Sequence, residues 1–79
     1  MKVYLVLSCN WQDYEGGGAS VDSVHISNEM AETKVKAILK ENGLNYDGPN
    51  SNGEWGYQDY GGSSYWYEIE EHEVNGIMI

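Results

Sequence analysis

Phenylalanine is absent from this 79-residue sequence, cysteine and proline each occur once, and only four residues are basic. Each scarcity excludes something. A lone cysteine, Cys9, can close no internal disulfide, which fits a reducing compartment. Four bases against thirteen acids leave a net charge of −9, a field that repels nucleic acid and anionic membrane and attracts basic surfaces. No apolar run approaches the roughly 18–20 residues that a membrane span needs. The apolar start, Met1 to Cys9, carries a single lysine and breaks at Ser8 without a small-residue cleavage site. It reads as a first strand rather than a signal peptide. No repeat and no linker divides the chain, so residues 1–79 form a single domain.

What is present is enough for a small core. Hydrophobic residues make up 41% of the chain, more than a disordered tail carries. A chain this short buries a modest share of its surface and has room for about one sheet and one helix. Residues 2–11 alternate: Val3, Leu5, Leu7, Cys9 and Trp11 fall on one face, and Lys2, Tyr4, Val6, Ser8 and Asn10 on the other. That period predicts a half-buried strand, with Cys9 as a small buried hydrophobe rather than a nucleophile. Residues 12–19, with Gly16-Gly17-Gly18, predict a flexible acidic connection, and residues 20–26 a second strand paired with the first.

Ser27 is placed to cap a helix running to about Asn42. Glu29 and Glu32 lie toward its positive end and Lys40 toward its negative end. Glu32 and Lys36 have the spacing of an ion pair, and Ala31, Val35, Ile38 and Leu39, with Met30 at the edge, form the apolar stripe. Gly43 and Leu44 supply a left-handed stop and its hydrophobic contact. Three acids and three lysines make this helix neutral, so the remaining ten acids and one base, Lys2, belong to strands and loops. Residues 45–53 are loop by composition. The aromatic run from Glu54 to Tyr60, the Gly61-Gly62 pair and the run from Ser63 to Val74 predict a hairpin. Asn75-Gly76 is a further turn signal, and Ile77-Met78-Ile79 a short edge. The fold class is therefore α+β: an antiparallel sheet of three to five strands in the order β-β-α-β-β, with one helix packed on one face.

A two-residue turn at Gly61-Gly62 sets Tyr60 opposite Ser63, Gln58 opposite Tyr65, Tyr57 opposite Trp66, Gly56 opposite Tyr67 and Trp55 opposite Glu68. Side chains alternate between faces. Tyr65, Tyr67 and Ile69 then pack under the helix with Val3, Leu5 and Leu7. Trp55, Tyr57, Trp66, Glu68, Glu70 and His72 meet solvent on the other face. Exposed aromatics beside carboxylates mark recognition surfaces, since Trp and Tyr offer large area and a polar tip. The candidate partner-binding residues are Trp55, Tyr57, Trp66, Glu68, Glu70 and Asp59. The same arrangement also serves plain cross-strand pairing. Carboxylates on alternate strand positions stand about 6.7 Å apart, a ladder able to occupy a phosphate-binding groove.

Catalytic readings fall away. Glu68, Glu70, Glu71 and Glu73 share one strand and flank no cleft, as glycoside hydrolysis requires. His72 with Glu70 falls short of a four-ligand metal set. The glycine triplet lacks the following Lys-Ser/Thr of a phosphate loop, and Asp47 to Gly53 lacks the acid spacing of a calcium loop. No enzyme, metal or cofactor is expected.

Val3-Tyr4-Leu5-Val6, an irregular polar stretch, and Val21-Asp22-Ser23-Val24-His25-Ile26-Ser27 leading into an Ala/Lys helix together resemble small phage-encoded proteins. In element order this segment, roughly residues 3–42, is similar to some type I anti-CRISPR proteins. The Trp/Tyr/Gly-rich remainder does not follow that pattern, and no motif transfers a residue role. The resemblance implies a small cytoplasmic inhibitor, in a bacterial host cell, that binds a basic nucleic-acid-handling protein or ribonucleoprotein complex and blocks its DNA or RNA path. The acidic charge, apart from the resemblance, predicts no direct nucleic-acid or membrane binding. Two alternatives compete: a carbohydrate- or ligand-binding module with Trp55, Tyr57 and Trp66 as platform, and a homodimer or larger homo-oligomer that buries the same face against itself.

Overall fold

The computed structural model describes residues 1–74; the Asn75-Gly76 turn and the Ile77-Met78-Ile79 edge expected from the sequence lie outside them. Strand β1 (Lys2–Gln12) turns into β2 (Gly16–His25), helix α1 (Asn28–Glu41) follows, and β3 (Trp55–Asp59) and β4 (Ser63–Glu73) close the chain. The four strands form one antiparallel sheet in the order β2-β1-β4-β3. The expected α+β class is what the chain adopts, with a single helix on one face of the sheet among the described residues.

The helix is built as its sequence dictates. Ser27 holds an extended backbone and its hydroxyl accepts from the Met30 N–H at 3.2 Å. At the other end Gly43 takes φ +71 and the Leu44 N–H reaches the Leu39 carbonyl at 2.8 Å, tying off the last turn. The expected Glu32–Lys36 pair is replaced by a local bond, since Glu32 accepts from Asn28 Nδ2 at 2.8 Å. Ala31, Val35 and Leu39 are the helix residues that become fully buried. They pack on Val6 and Trp55, with Tyr4, Leu44, Tyr67 and Ile69 closing the sides. Each fully buried aliphatic contributes roughly 1.5–3 kcal/mol relative to exposure.

Two expectations about this core are corrected. The face of β1 under the helix carries Tyr4 and Val6, not Val3, Leu5 and Leu7. The first half of β1 is apolar on both sides, so alternation defines two faces there without saying which is covered. The cross-strand partner decides: Val6 stands opposite Ile69, whereas Leu5 and Leu7 stand opposite Glu70 and Glu68. Trp55 is likewise in the core, only 5% exposed, and not on the free face. Its hairpin begins as expected, with the Tyr60 N–H bonded to the Ser63 carbonyl at 2.8 Å and Gln58 opposite Tyr65. The register then shifts between Gln58 and Trp55, and Trp55 lands opposite Tyr67 instead of Glu68. Gly56 and Tyr57 share the place of one residue, a β-bulge that rotates Trp55 to the other side. Gly56 has φ +61, and a Cβ there would overlap the Leu39 methyl groups. Only glycine accommodates both demands.

The connection after β1 is also tighter than expected. Strand β2 starts at Gly16 rather than Ser20, and Tyr14 occupies the left-handed region with φ 72 in a three-residue turn. Trp11 lies across Gly17, where a Cβ would come within 2.9 Å of the indole. The two hairpin turns meet at one end of the sheet, where the Asp13 N–H bonds to the Gly62 carbonyl at 2.8 Å.

The helix is shorter than the sheet it covers. Fourteen helical residues span about 21 Å, and an eleven-residue strand about 36 Å. On the helix side, β1 accordingly changes from Tyr4 and Val6 to Ser8 and Asn10 where the cover ends.

Candidate functional site

Among the described residues no helix covers the face of the sheet opposite α1. Strand β4 presents Ser64, Trp66, Glu68, Glu70 and His72 to it, and β1 presents Trp11, Cys9, Leu7, Leu5 and Val3 directly opposite them. Strand β2 adds Ala19, Val21 and Val24, each paired with one of those β1 residues. A bulge between Val6 and Leu7 leaves Asp22 unpaired and keeps both valines on this side. Val21, Val24 and Trp11 are half exposed or more. The face is thus graded: aliphatic over β2 and β1, aromatic and acidic over β4.

Side chains along β4 are tied to one another. The Tyr57 and Trp66 rings lie 5.8 Å apart at 34°, a tilted cross-strand pair. The Trp66 indole N–H donates to Glu68 at 2.6 Å, and the Tyr57 hydroxyl donates to Ser64 at 3.0 Å. His72 Nε2 and Glu70 are 2.5 Å apart. No lysine neutralises these carboxylates: Lys2 reaches Glu71, on the helix side, at 3.4 Å, and Lys34, Lys36 and Lys40 stand on or at the end of the helix.

Cys9 sits beneath this surface and is 6% exposed. Burial, reinforced by the neighbouring Glu68, pushes its thiol up to about 11. It stays a protonated hydrophobe at neutral pH and is a poor nucleophile. Among the described residues no group of three or more His, Cys, Asp or Glu could hold a metal ion. No described helix is long and apolar enough to cross a membrane.

Of the six residues singled out from the sequence, the fold brings Tyr57, Trp66, Glu68 and Glu70 together. Asp59 stands at the rim, where its carboxylate accepts from the Gly61 N–H at 2.9 Å and holds the turn. Trp55 is removed to the core. The three-ring platform of Trp55, Tyr57 and Trp66 therefore does not form. The row Val3, Leu5, Leu7 and Trp11 was missed as part of this face. Within that row Leu5 and Leu7 stand opposite Glu70 and Glu68, while Val3 and Trp11 stand opposite His72 and Ser64.

Comparison of the chain with protein-family models, with curated proteins and with solved structures returned no match.

Proposed function

We propose that this domain is a small protein-binding inhibitor that uses its helix-free sheet face to dock on a basic protein or ribonucleoprotein complex and obstruct its DNA or RNA path. The anti-defence role implied by the resemblance to anti-CRISPR proteins, exerted in the cytoplasm of a bacterial host, is the specific form of that proposal. One observation carries it: Leu5, Leu7, Val21 and Val24 are continuous with Trp66, Glu68 and Glu70 on a face that bears no lysine. Aliphatic and aromatic area supplies affinity once desolvated, and the unneutralised carboxylates select a basic partner and speed encounter with it. Glu68, Glu70 and His72 are tied to neighbouring side chains along an open strand face.

The test is affinity capture from nuclease-treated bacterial lysate with the tagged domain, followed by competition. Expected is a nucleic-acid-handling protein that is released by added duplex DNA or by RNA. Salt should weaken the complex, because carboxylates at the rim are screened. Glu68→Gln/Glu70→Gln should reduce capture, and Leu5→Asp should abolish it while the domain stays folded. Recovery of no such protein, or capture indifferent to these variants and to nucleic acid, rejects the proposal. A dimer in sedimentation that Leu5→Asp dissociates would instead assign the face to a second copy of the chain.

A further inference from the structure

The uncovered half of the helix side forms a second, different surface. Beyond the end of α1, Ser8 and Asn10 of β1, Ser20 of β2, Gln58 of β3 and the rings of Tyr65 and Tyr67 of β4 line a cavity of about 690 Å³, with Asn42 and Leu44 at the helix end of it. That size lies within the range of small-molecule sites, roughly 300–1,000 Å³. None of its lining residues is Asp, Glu, Lys, Arg or His. The chain carries thirteen acids, and none of them lines this site.

The polar groups there are available. Asn42 spends its amide N–H on the Ile38 carbonyl at 2.8 Å and keeps its carbonyl oxygen. Gln58 accepts from the Tyr60 hydroxyl and keeps its amide N–H₂. No buried side-chain polar atom among the described residues is left without a partner, so the remaining hydroxyls and amides of the cavity open onto solvent. Tyr65 is 38% exposed, with its ring 5.9 Å from that of Tyr60.

We infer that this cavity is a binding site for an uncharged saccharide. Serine and tyrosine hydroxyls and carboxamides each both donate and accept, which suits the paired hydroxyls of a sugar. The Tyr65 face offers an apolar platform for the sugar's C–H surface. An anionic ligand would find no cation in the cavity and would meet the field of a chain of net charge −9. A cationic ligand would find no carboxylate there. Cys9, Ala19 and Trp66 of the docking face also border the cavity, but Ser8, Asn10, Ser20 and Tyr65 belong to the opposite side of the sheet, so variants at Asn10 and Tyr65 test this site apart from the docking face.

The test is an amide-resolved NMR titration of the isotope-labelled domain with maltotriose, cellotriose, triacetylchitotriose and, as the charged probe, a trigalacturonate. Expected are saturable shifts at Ser8, Asn10, Ser20, Gln58 and Tyr65 with at least one neutral trisaccharide, none at Glu68 or Glu70, and none with trigalacturonate. Asn10→Ala should weaken binding roughly fivefold to tenfold by removing hydrogen bonds to the ligand. Tyr65→Ala should abolish it; Tyr65→Phe, which keeps the ring and the fold, should retain it. Silence with all three neutral probes overturns the inference. So do shifts confined to the opposite face, equal binding of trigalacturonate, or an Asn10→Ala variant that binds as tightly as the unaltered chain.

Discussion

The two sides of this sheet use the same kinds of residue for opposite ends. Under the helix, Val6, Val35, Leu39 and Trp55 lose nearly all contact with water. On the other side, Leu5 and Leu7 are partly buried and Val21 and Val24 are more than half exposed. Strand β1 carries aliphatic residues on both sides, and what separates them is the strand beside it: Val6 meets Ile69 under the helix, whereas Leu5 and Leu7 meet Glu70 and Glu68 on the uncovered side. The roofed side spends its apolar area on stability, whereas Val21 and Val24 on the open side keep more than half of theirs in water.

Truncation on each side should break this equivalence most plainly. Leu39→Ala should destabilise the domain by about 2–5 kcal/mol, the cost of a cavity in a packed core. Leu5→Ala, on the open face, should cost about 1 kcal/mol or less. Urea denaturation followed by circular dichroism measures both, and equal losses would mean that the open face is as well packed as the core.

Gly56→Ala should come next. It sets a Cβ against Leu39 at a positive φ, and about 1–3 kcal/mol of strain and overpacking is expected. If the bulge then closes, Trp55 leaves the core, and its fluorescence should move to the red and become open to acrylamide quenching. An unchanged spectrum with unchanged stability would show that Gly56 is not what turns Trp55 inward.

The open face should also respond to alkali through Cys9. The folded thiol titrates at about 11 against an ordinary 9.0, so the folded chain keeps this proton to higher pH than the unfolded chain. Its contribution to stability is complete below pH 9 and is lost as pH rises toward 11. Cys9→Ala should remove that part of the slope in urea midpoints taken across this interval. The smallest effect is expected from Glu68→Gln/Glu70→Gln, which relieves like charge on a solvated strand. Stability should stay within about 0.5 kcal/mol of the unaltered chain, although the proposed docking depends on both carboxylates.

Local structure was well written in the chain. Ser27, the stripe of Ala31, Val35 and Leu39, the Gly43 stop and the Gly61-Gly62 turn each act through neighbours a few residues away, and each is found where the sequence put it. The face of β1 was not legible, because Val3 to Leu7 is apolar at every position and only the pairing of Val6 with Ile69 resolves it. Trp55 was misplaced because one bulge inverts every side chain beyond it, and the need for that bulge lies in Leu39, far away in sequence. The polar cavity could have been anticipated from lengths alone. A fourteen-residue helix cannot roof eleven-residue strands, and Ser8, Asn10 and Ser20 mark the place where the roof stops.

The strand order has a consequence for how the molecule comes to be. Strand β1 lies in the middle of the sheet, and its partner on one side is β4, so residues 2–12 wait for residues 63–73. A nascent chain can form the first hairpin and the helix early, yet it holds an unpaired edge along β1 until β4 leaves the ribosome. Ladders that join distant segments are slow to close, and an open edge during that delay invites pairing with other chains. Refolding should therefore be limited by the meeting of β1 and β4, and the expressed protein should be most prone to aggregate when synthesis stalls before Ser63.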